Sequence, residues 1–497
     1  MINLTPTDTT DEITEVLDEV ELQDVKRKSV SGAFSYIVRT LFLNGLGIVT
    51  AMVLSGYFSP EDFGIYGYVT QFIGLLVFFS DIGLAASLIQ KKVIPTLNDY
   101  RTVFTIQQSL SWLIFVITLL LSRTSLVAGQ VGQAGVWVML SLGISFPLAS
   151  LKTVSSIRLE RKLDFSKLVI PQIVEQLFFN AILIVLAFKG YGVIAYAYAI
   201  IVRSVVGAIV MFILEPWAIG LGFSKTSAKE LLNFGAKFQI NDLLARIKDN
   251  LFLIVVRQWL TPVQYGYLSW SKTYSMLPYN MTVQNVMAIT FPTFSRLQHN
   301  KDALKKAIEK SLFFITLAIF PMVVGMSVFI TPLTELVPRY AKWQPALLSF
   351  ALMSLSIAFS AISSPLTNTL NAIGKISDTL KLMVMWTLLT WVLTPIAIWK
   401  FGFNGVAIAG FVIAFSSVMP IIYVKKYVQI KVIDSIYRQL IAAIGMGVVS
   451  MLGFSFWSRS WLWFTTGTLI SMGTYTVILL LVGWTKLKTE VVSLLKR

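Results

Sequence analysis

The sequence predicts an all-α integral membrane protein of about fourteen transmembrane helices. Three observations carry this reading. Of 497 residues, 56% are hydrophobic and only 13% are charged, whereas about a quarter of a soluble domain is charged. Mean hydropathy is +0.73, more apolar surface than one water-soluble core absorbs. Apolar runs also recur from end to end, separated by short connections that carry most of the Lys and Arg.

The runs lie at about 31–55, 64–89, 102–122, 133–156, 168–188, 192–215, 236–258, 266–294, 308–331, 346–371, 379–399, 404–424, 437–457 and 461–484. Each has roughly the 20 residues a helix needs to cross about 30 Å of hydrocarbon. The run at 236–258 is the most polar, because it contains KFQINDLLARIKDN. The first 25 residues are acidic and polar, the reverse of a basic n-region before an apolar core, so residues 1–30 read as a cytosolic tail and not a cleavable signal. Within that tail Ile13, Val16, Leu17 and Val20 recur at helical spacing. This fits either a short docking helix or a disordered acidic tail.

Net charge is +16. In a soluble chain that balance points to nucleic acid. Here the cations sit in connections between spans and report orientation instead. With Lys26, Arg27 and Lys28 placed in the cytoplasm, that side collects about 28 Lys and Arg against about 7 outside. The bias predicts an even number of spans with both termini cytoplasmic. There is no Cys and a single His, His299, which excludes disulfides, thiol catalysis and thiolate metal sites. No cofactor or metal is expected.

The chain repeats itself. YFSPEDFGIYG at 57–67 matches WLTPVQYGYLS at 259–269, with Pro60 opposite Pro262 and Gly64 opposite Gly266, both 202 positions apart. FKGYGVIAYAYA at 188–199 matches KFGFNGVAIAGF at 400–411, Gly192 falling opposite Gly405. The repeat is six spans long, an even number, so both copies enter the membrane from the same side. Two parallel six-helix bundles follow, at 31–215 and 235–428, with a cytosolic linker at 216–234. Two extra helices and a tail occupy 429–497. Parallel repeats of this kind are an arrangement of alternating-access carriers.

The first copy of the motif contains adjacent carboxylates, Glu61 and Asp62, the second Val263 and Gln264. A reaction centre shared by both copies is therefore excluded. What they share fits a helix entry: Ser59 and Thr261 as N-caps, Pro60 and Pro262 at the first helical position, and a Thr261–Gln264 capping box. Glu61 and Asp62 then sit favourably at a helix N-terminus.

Ionisable residues within spans are costly and mark candidate sites. Asn241, Asp242, Arg246, Lys248, Asp249 and Asn250 fall within ten residues of the seventh span. Asp242, Arg246 and Asp249 share one helix face, either lining a wet cavity or forming an intrahelical charge ladder. Counting back from the shared Pro, Asn44 matches Arg246 and Arg39 matches Asn241 in the first span. Together with Lys272 these residues predict a cationic cavity of Arg39, Asn44, Asn241, Arg246, Lys248 and Lys272, suited to an anionic, diphosphate-linked solute. Asp81, Glu175 and Arg203 are further intramembrane charges. Glu175 reads either as a coupling group or as the partner of Arg203.

The stretch LSGYFSPEDFGIYGYVTQFIGLLVFFSDIGLAASLIQKK at 54–92 and the run RKLDFSKL at 161–168 resemble oligosaccharide flippases of the Wzx type. These belong to the multidrug/oligosaccharidyl-lipid/polysaccharide exporter superfamily. The resemblance covers roughly residues 30–430. It implies a V-shaped pair of six-helix bundles around a central cationic cavity. It also implies flipping of undecaprenyl-diphosphate-linked oligosaccharides from the inner to the outer leaflet of a bacterial cytoplasmic membrane. The implied partners are that lipid-linked oligosaccharide, membrane lipids, and a polysaccharide polymerase with chain-length proteins. The cavity residues above come from their chemistry and not from a family motif. Within the same superfamily, flipping of the peptidoglycan lipid precursor and drug export are the alternatives. From another class the alternative is a membrane glycosyltransferase or polysaccharide polymerase, which needs a larger outward loop than this chain offers.

Overall fold

A computed structural model of the chain describes residues 22–77, 80, 83–90, 95–162, 164–229 and 252–495. Every regular element among them is helical. Ten of these helices are long and apolar enough to cross a membrane, and Phe42–Tyr57 forms a shorter apolar stretch. The helices group into two compact units, one of residues up to Phe58 with Ile65–Val255, the other of Ser59–Gly64 with Val256–Arg497.

In the first unit Leu22–Tyr57 and Ile194–Leu214 both pack on Phe165–Phe188, and Leu97–Ser122 pairs with Ser125–Ser150. Local chemistry sets the ends. Thr96 and Asp99 form a reciprocal capping box, Asp99 N–H donating to Thr96 Oγ1 at 3.2 Å and Thr96 N–H to Asp99 Oδ2 at 2.9 Å. Asp164 accepts from Lys167 N–H at 3.2 Å and opens Phe165–Phe188. Gly132 sits at φ +62°, a backbone that favours glycine, and kinks Ser125–Ser150. The run read as 133–156 turns at Leu151–Lys152, so Thr153–Arg161 is a separate helix. Leu84, Leu88, Phe104, Val154, Ile157 and Trp217 form an apolar cluster beside it.

In the second unit the run read as one span at 266–294 is three helices, Pro262–Ser275, Leu277–Met281 and Val283–Leu297. Pro278 lacks the N–H an interior turn needs, and Thr282, at φ −113° and ψ −69°, departs from regular helix. Lys301–Leu336 is the central helix, against which Leu347–Ala372 and Val432–Leu452 pack. The last two helices belong to this unit. Ile315, Ile319 and Val323 share a core with Ala442, Ala443, Met446, Tyr475 and Leu479. Tyr475 Oη donates to Leu317 O at 2.9 Å, and the Ser450 and Ser471 hydroxyls meet at 2.6 Å. Small residues let these backbones approach, the usual basis of helix association in hydrocarbon. Many hydroxyls bond one turn back, as Ser141 does to Trp137 O at 2.8 Å and Thr316 to Leu312 O at 2.8 Å. Such bonds leave the hydroxyl no need of water.

The duplicated motif meets itself inside the second unit. Thr261 and Gln264 form the expected capping box, at 3.2 and 3.0 Å. Ser59 and Asp62 form another, Asp62 N–H donating to Ser59 Oγ at 3.1 Å and Ser59 N–H to Asp62 Oδ2 at 2.8 Å. Asp62 therefore serves as a capping carboxylate, the counterpart of Gln264, a role beyond the favourable dipole placement expected of it. The two helix entries cross reciprocally. A Cβ on Gly64 would collide with the Pro262 carbonyl oxygen and would lie 3.0 Å from Gly266 N. A Cβ on Gly266 would collide with the Pro60 carbonyl oxygen. Phe63 packs edge-on to Trp343 at 5.0 Å, and Trp343 stacks on Trp270 at 4.9 Å.

Gly64→Ala and Gly266→Ala each lower stability by about 1–3 kcal/mol through overpacking against backbone, seen as a lower Tm of purified protein. Gly410→Ala, with no atom within 4 Å of its would-be Cβ, leaves Tm unchanged or higher. Equal melting of all three variants contradicts the crossing.

Candidate functional site

The expected site residues divide between the two units. Arg39 and Asn44 lie half-buried on Leu22–Tyr57 in the first unit. Five residues apart, they point about 140° from one another around the helix, so no narrow face holds both. Lys272 is exposed on Pro262–Ser275 in the second unit. Asn241, Asp242, Arg246, Lys248 and Asp249, and with them Asp81, lie outside the described residues.

The structure brings Glu175 and Arg203 together, Arg203 Nε lying 3.7 Å from Glu175 Oε2. A third member is Lys152, whose Nζ pairs with Glu175 Oε1. Glu175 is 7% exposed. Its seat depends on Gly207, where a Cβ would collide with the carboxylate. Arg203 Cζ also lies over the Phe179 ring at 5.5 Å. Tyr198, Ile201, Val205, Ile209 and Phe212 form the exposed apolar stripe of Ile194–Leu214. Arg203, itself exposed, stands about 160° around the helix from Val205, opposite that stripe. An intramembrane Arg belongs on that side.

Sequence reasoning had no signal for Lys152, which enters through the turn after Ser125–Ser150 and lies 23 positions from Glu175. It also missed Glu215. That buried carboxylate holds Arg158 Nε at 3.1 Å and Lys162 Nζ at 3.0 Å. Arg161 donates to Leu88 O and Ile89 O at 2.9 Å each, closing the carbonyl end of Leu84–Gln90. Much of the basic run at 158–162 is therefore committed to holding helix ends together.

In the second unit Asp378 accepts from Lys381 Nζ at 3.0 Å and from Tyr427 Oη at 2.7 Å. The bond to Asp378, with burial adding to it, raises the Tyr427 phenol above its ordinary value. Among the described residues no group of three His, Cys, Asp or Glu is placed to hold a metal ion.

Residues 53–347, more than half of the chain, match the family described as Polysaccharide biosynthesis protein. The chain is 22% identical over 337 residues to the succinoglycan biosynthesis transport protein ExoT of Rhizobium meliloti (strain 1021), covering 67% of this chain and 66% of ExoT, just under two thirds of that relative. It is 22% identical over 376 residues to the lipopolysaccharide biosynthesis protein WzxC of Escherichia coli (strain K12), covering 73% of this chain and 74% of WzxC. Among solved structures it resembles the lipid II flippase MurJ in an inward closed conformation, with a TM-score of 0.73 at 16% identity over 91% of this chain and 99% of MurJ. It also resembles an inward-facing multidrug resistance MATE family transporter of the MOP superfamily, with a TM-score of 0.57 at 16% identity over 78% of this chain and 94% of that one. The fold is accordingly the all-α, many-helix membrane fold that the sequence predicts, and the chain belongs to the Polysaccharide biosynthesis protein family.

Proposed function

We propose that the chain translocates polyprenyl-diphosphate-linked oligosaccharides from the inner to the outer leaflet of a bacterial cytoplasmic membrane by alternating access. The product supplies a surface polysaccharide, whether O-antigen, capsule or exopolysaccharide, and no bond is made or broken. The observation that carries this reading is the family match over residues 53–347 in a chain whose described residues include ten helices long and apolar enough to cross a membrane. The names of ExoT and WzxC, a transport protein and a polysaccharide biosynthesis protein, support it. The fold shared with a lipid II flippase keeps the peptidoglycan precursor as the second reading.

The physical task is to carry a hydrated diphosphate and its sugars past hydrocarbon while the polyprenyl tail stays in lipid. Isolated charges there are expensive, so cations must replace the lost hydration. Arg39, Asn44, Asn241, Arg246, Lys248 and Lys272 are our candidates, Arg for bidentate phosphate contact and Lys as a point charge. Both termini are placed in the cytoplasm, from the distribution of Lys and Arg. A polymerase acting on the outer leaflet and chain-length proteins are the natural partners.

Deleting the gene causes polyprenyl-linked oligosaccharide to accumulate unpolymerised, read by mass spectrometry of the lipid extract. An unchanged lipid pool contradicts the reading. Arg39→Glu and Arg246→Glu abolish surface polysaccharide at unchanged protein level, and normal export in both variants removes the proposed cationic site. Within the Lys152–Glu175–Arg203 group, Glu175 acts as the counter-charge of two cations. Glu175→Gln costs about 2 kcal/mol of stability, below the ~3–5 kcal/mol for a fully buried pair because Arg203 is partly exposed, and transport per folded molecule persists. A stable Glu175→Gln protein without transport would instead make Glu175 the coupling group.

A further inference from the structure

The described residues offer one further concentration of charge beside an apolar groove. It lies in the second unit, where Ile376–Phe401 begins and Val418–Lys425 ends. Lys381 Nζ bonds Asp378 Oδ1 at 3.0 Å, and Tyr427 Oη takes the other carboxylate oxygen at 2.7 Å. Lys375 Nζ lies 5.0 Å from the centre of the Tyr427 ring, and Lys426 Nζ lies 4.4 Å from that of Tyr423. One lysine thus pairs with the carboxylate and two more lie over neighbouring tyrosine rings, so the cluster carries a surplus of positive charge. All three lysines are exposed. The carboxylate is already shared between Tyr427 and Lys381, which leaves Lys381 with donors to spare.

From Lys381 a groove of about 540 Å³ runs along the same helix, lined by Leu380, Lys381, Val384, Met385, Leu388 and Leu389. Apart from Lys381 the lining is apolar. From Lys381 to Leu389 the helix rises about 12 Å, close to the depth of one acyl chain in its leaflet. Only 17% of this span's most apolar window is buried within the protein, the lowest share among the ten candidate spans, so the groove opens to lipid. A cationic head placed at one end of an apolar groove matches a phosphate above a fatty chain.

We propose that this groove is a binding site for an anionic phospholipid of the bilayer, of the phosphatidylglycerol type. Lys381, Lys375 and Lys426 hold its phosphate, and Val384 and Leu388 contact one acyl chain. Tyr427 and Asp378 position Lys381, and Tyr423 positions Lys426 by a cation–π contact. The site is separate from the residues proposed for the translocated substrate, and its occupant is not that substrate.

Purified full-length protein titrated with dioleoylphosphatidylglycerol and, separately, dioleoylphosphatidylethanolamine tests this by native mass spectrometry. Wild type retains phosphatidylglycerol adducts more strongly. Lys381→Gln and Lys426→Gln each weaken that retention by on the order of fivefold. Val384→Phe, which fills the groove and alters no charge, also weakens it. Adducts with phosphatidylethanolamine stay the same across the lysine variants. Wild-type retention of phosphatidylglycerol in all three variants overturns the proposal, as does an equal loss of both lipids. Displacement of the bound lipid by a polyprenyl diphosphate at equal concentration would also overturn it, because the groove would then belong to the transported substrate.

Discussion

Two helix entries meet where neither can carry a side chain. At Gly64 and Gly266 the backbone carbonyl of the other copy's Pro occupies the space a Cβ would need. Close backbone approach of this kind is a basis of helix association in a membrane, where apolar burial alone does not drive helices together. Each entry also satisfies its own first-turn amides. The Ser59–Asp62 and Thr261–Gln264 boxes do this with the two chemistries the repeat permits, a carboxylate in one copy and an amide in the other. The tolerance of Asp and Gln at equivalent positions explains why the carboxylates are not duplicated while Ser or Thr, Pro and Gly are.

The same economy governs the polar groups elsewhere. Hydroxyls inside helices bond their own backbone one turn back. Charges are gathered into small groups around a carboxylate, Glu175 with Lys152 and Arg203, Glu215 with Arg158 and Lys162, Asp378 with Lys381 and Tyr427. In the two groups of the first unit the cations outnumber the carboxylate. Membrane phosphates on either side of the hydrocarbon lower the cost of such a surplus.

Much of this was legible in the sequence, and the limits have physical causes. The helical membrane class follows from composition and run length, which report bulk solvation. The entry motif was legible because capping chemistry is local: Thr261 and Gln264 lie three residues apart. The Ser59–Asp62 box was half seen, since Asp at that position serves both the dipole and the cap, and only geometry separates the two. A proline inside a run, such as Pro278, signals a bend, but the division of one run into three helices was not legible. Hydropathy at 266–294 is continuous although Pro278 and Thr282 divide the helix, because hydrocarbon accepts bent and straight helices alike. Lys152 and Glu215 were missed for a different reason. Their partners lie across turns and neighbouring helices, and no spacing rule connects residues that tertiary packing brings together. The proposed cationic site rests on chemistry read from sequence, with Asn241, Asp242, Arg246, Lys248 and Asp249 outside the described residues.

The account turns on a chain that moves a lipid-linked glycan without altering it. Its most direct test is reconstitution in liposomes that carry a fluorescent polyprenyl-diphosphate oligosaccharide in one leaflet. The share of that glycan accessible to an external lectin or quencher is then followed over time. The account predicts protein-dependent transfer to the opposite leaflet with the glycan's mass unchanged. Absence of transfer by folded protein, or a glycan lengthened or cleaved during the assay, would contradict it.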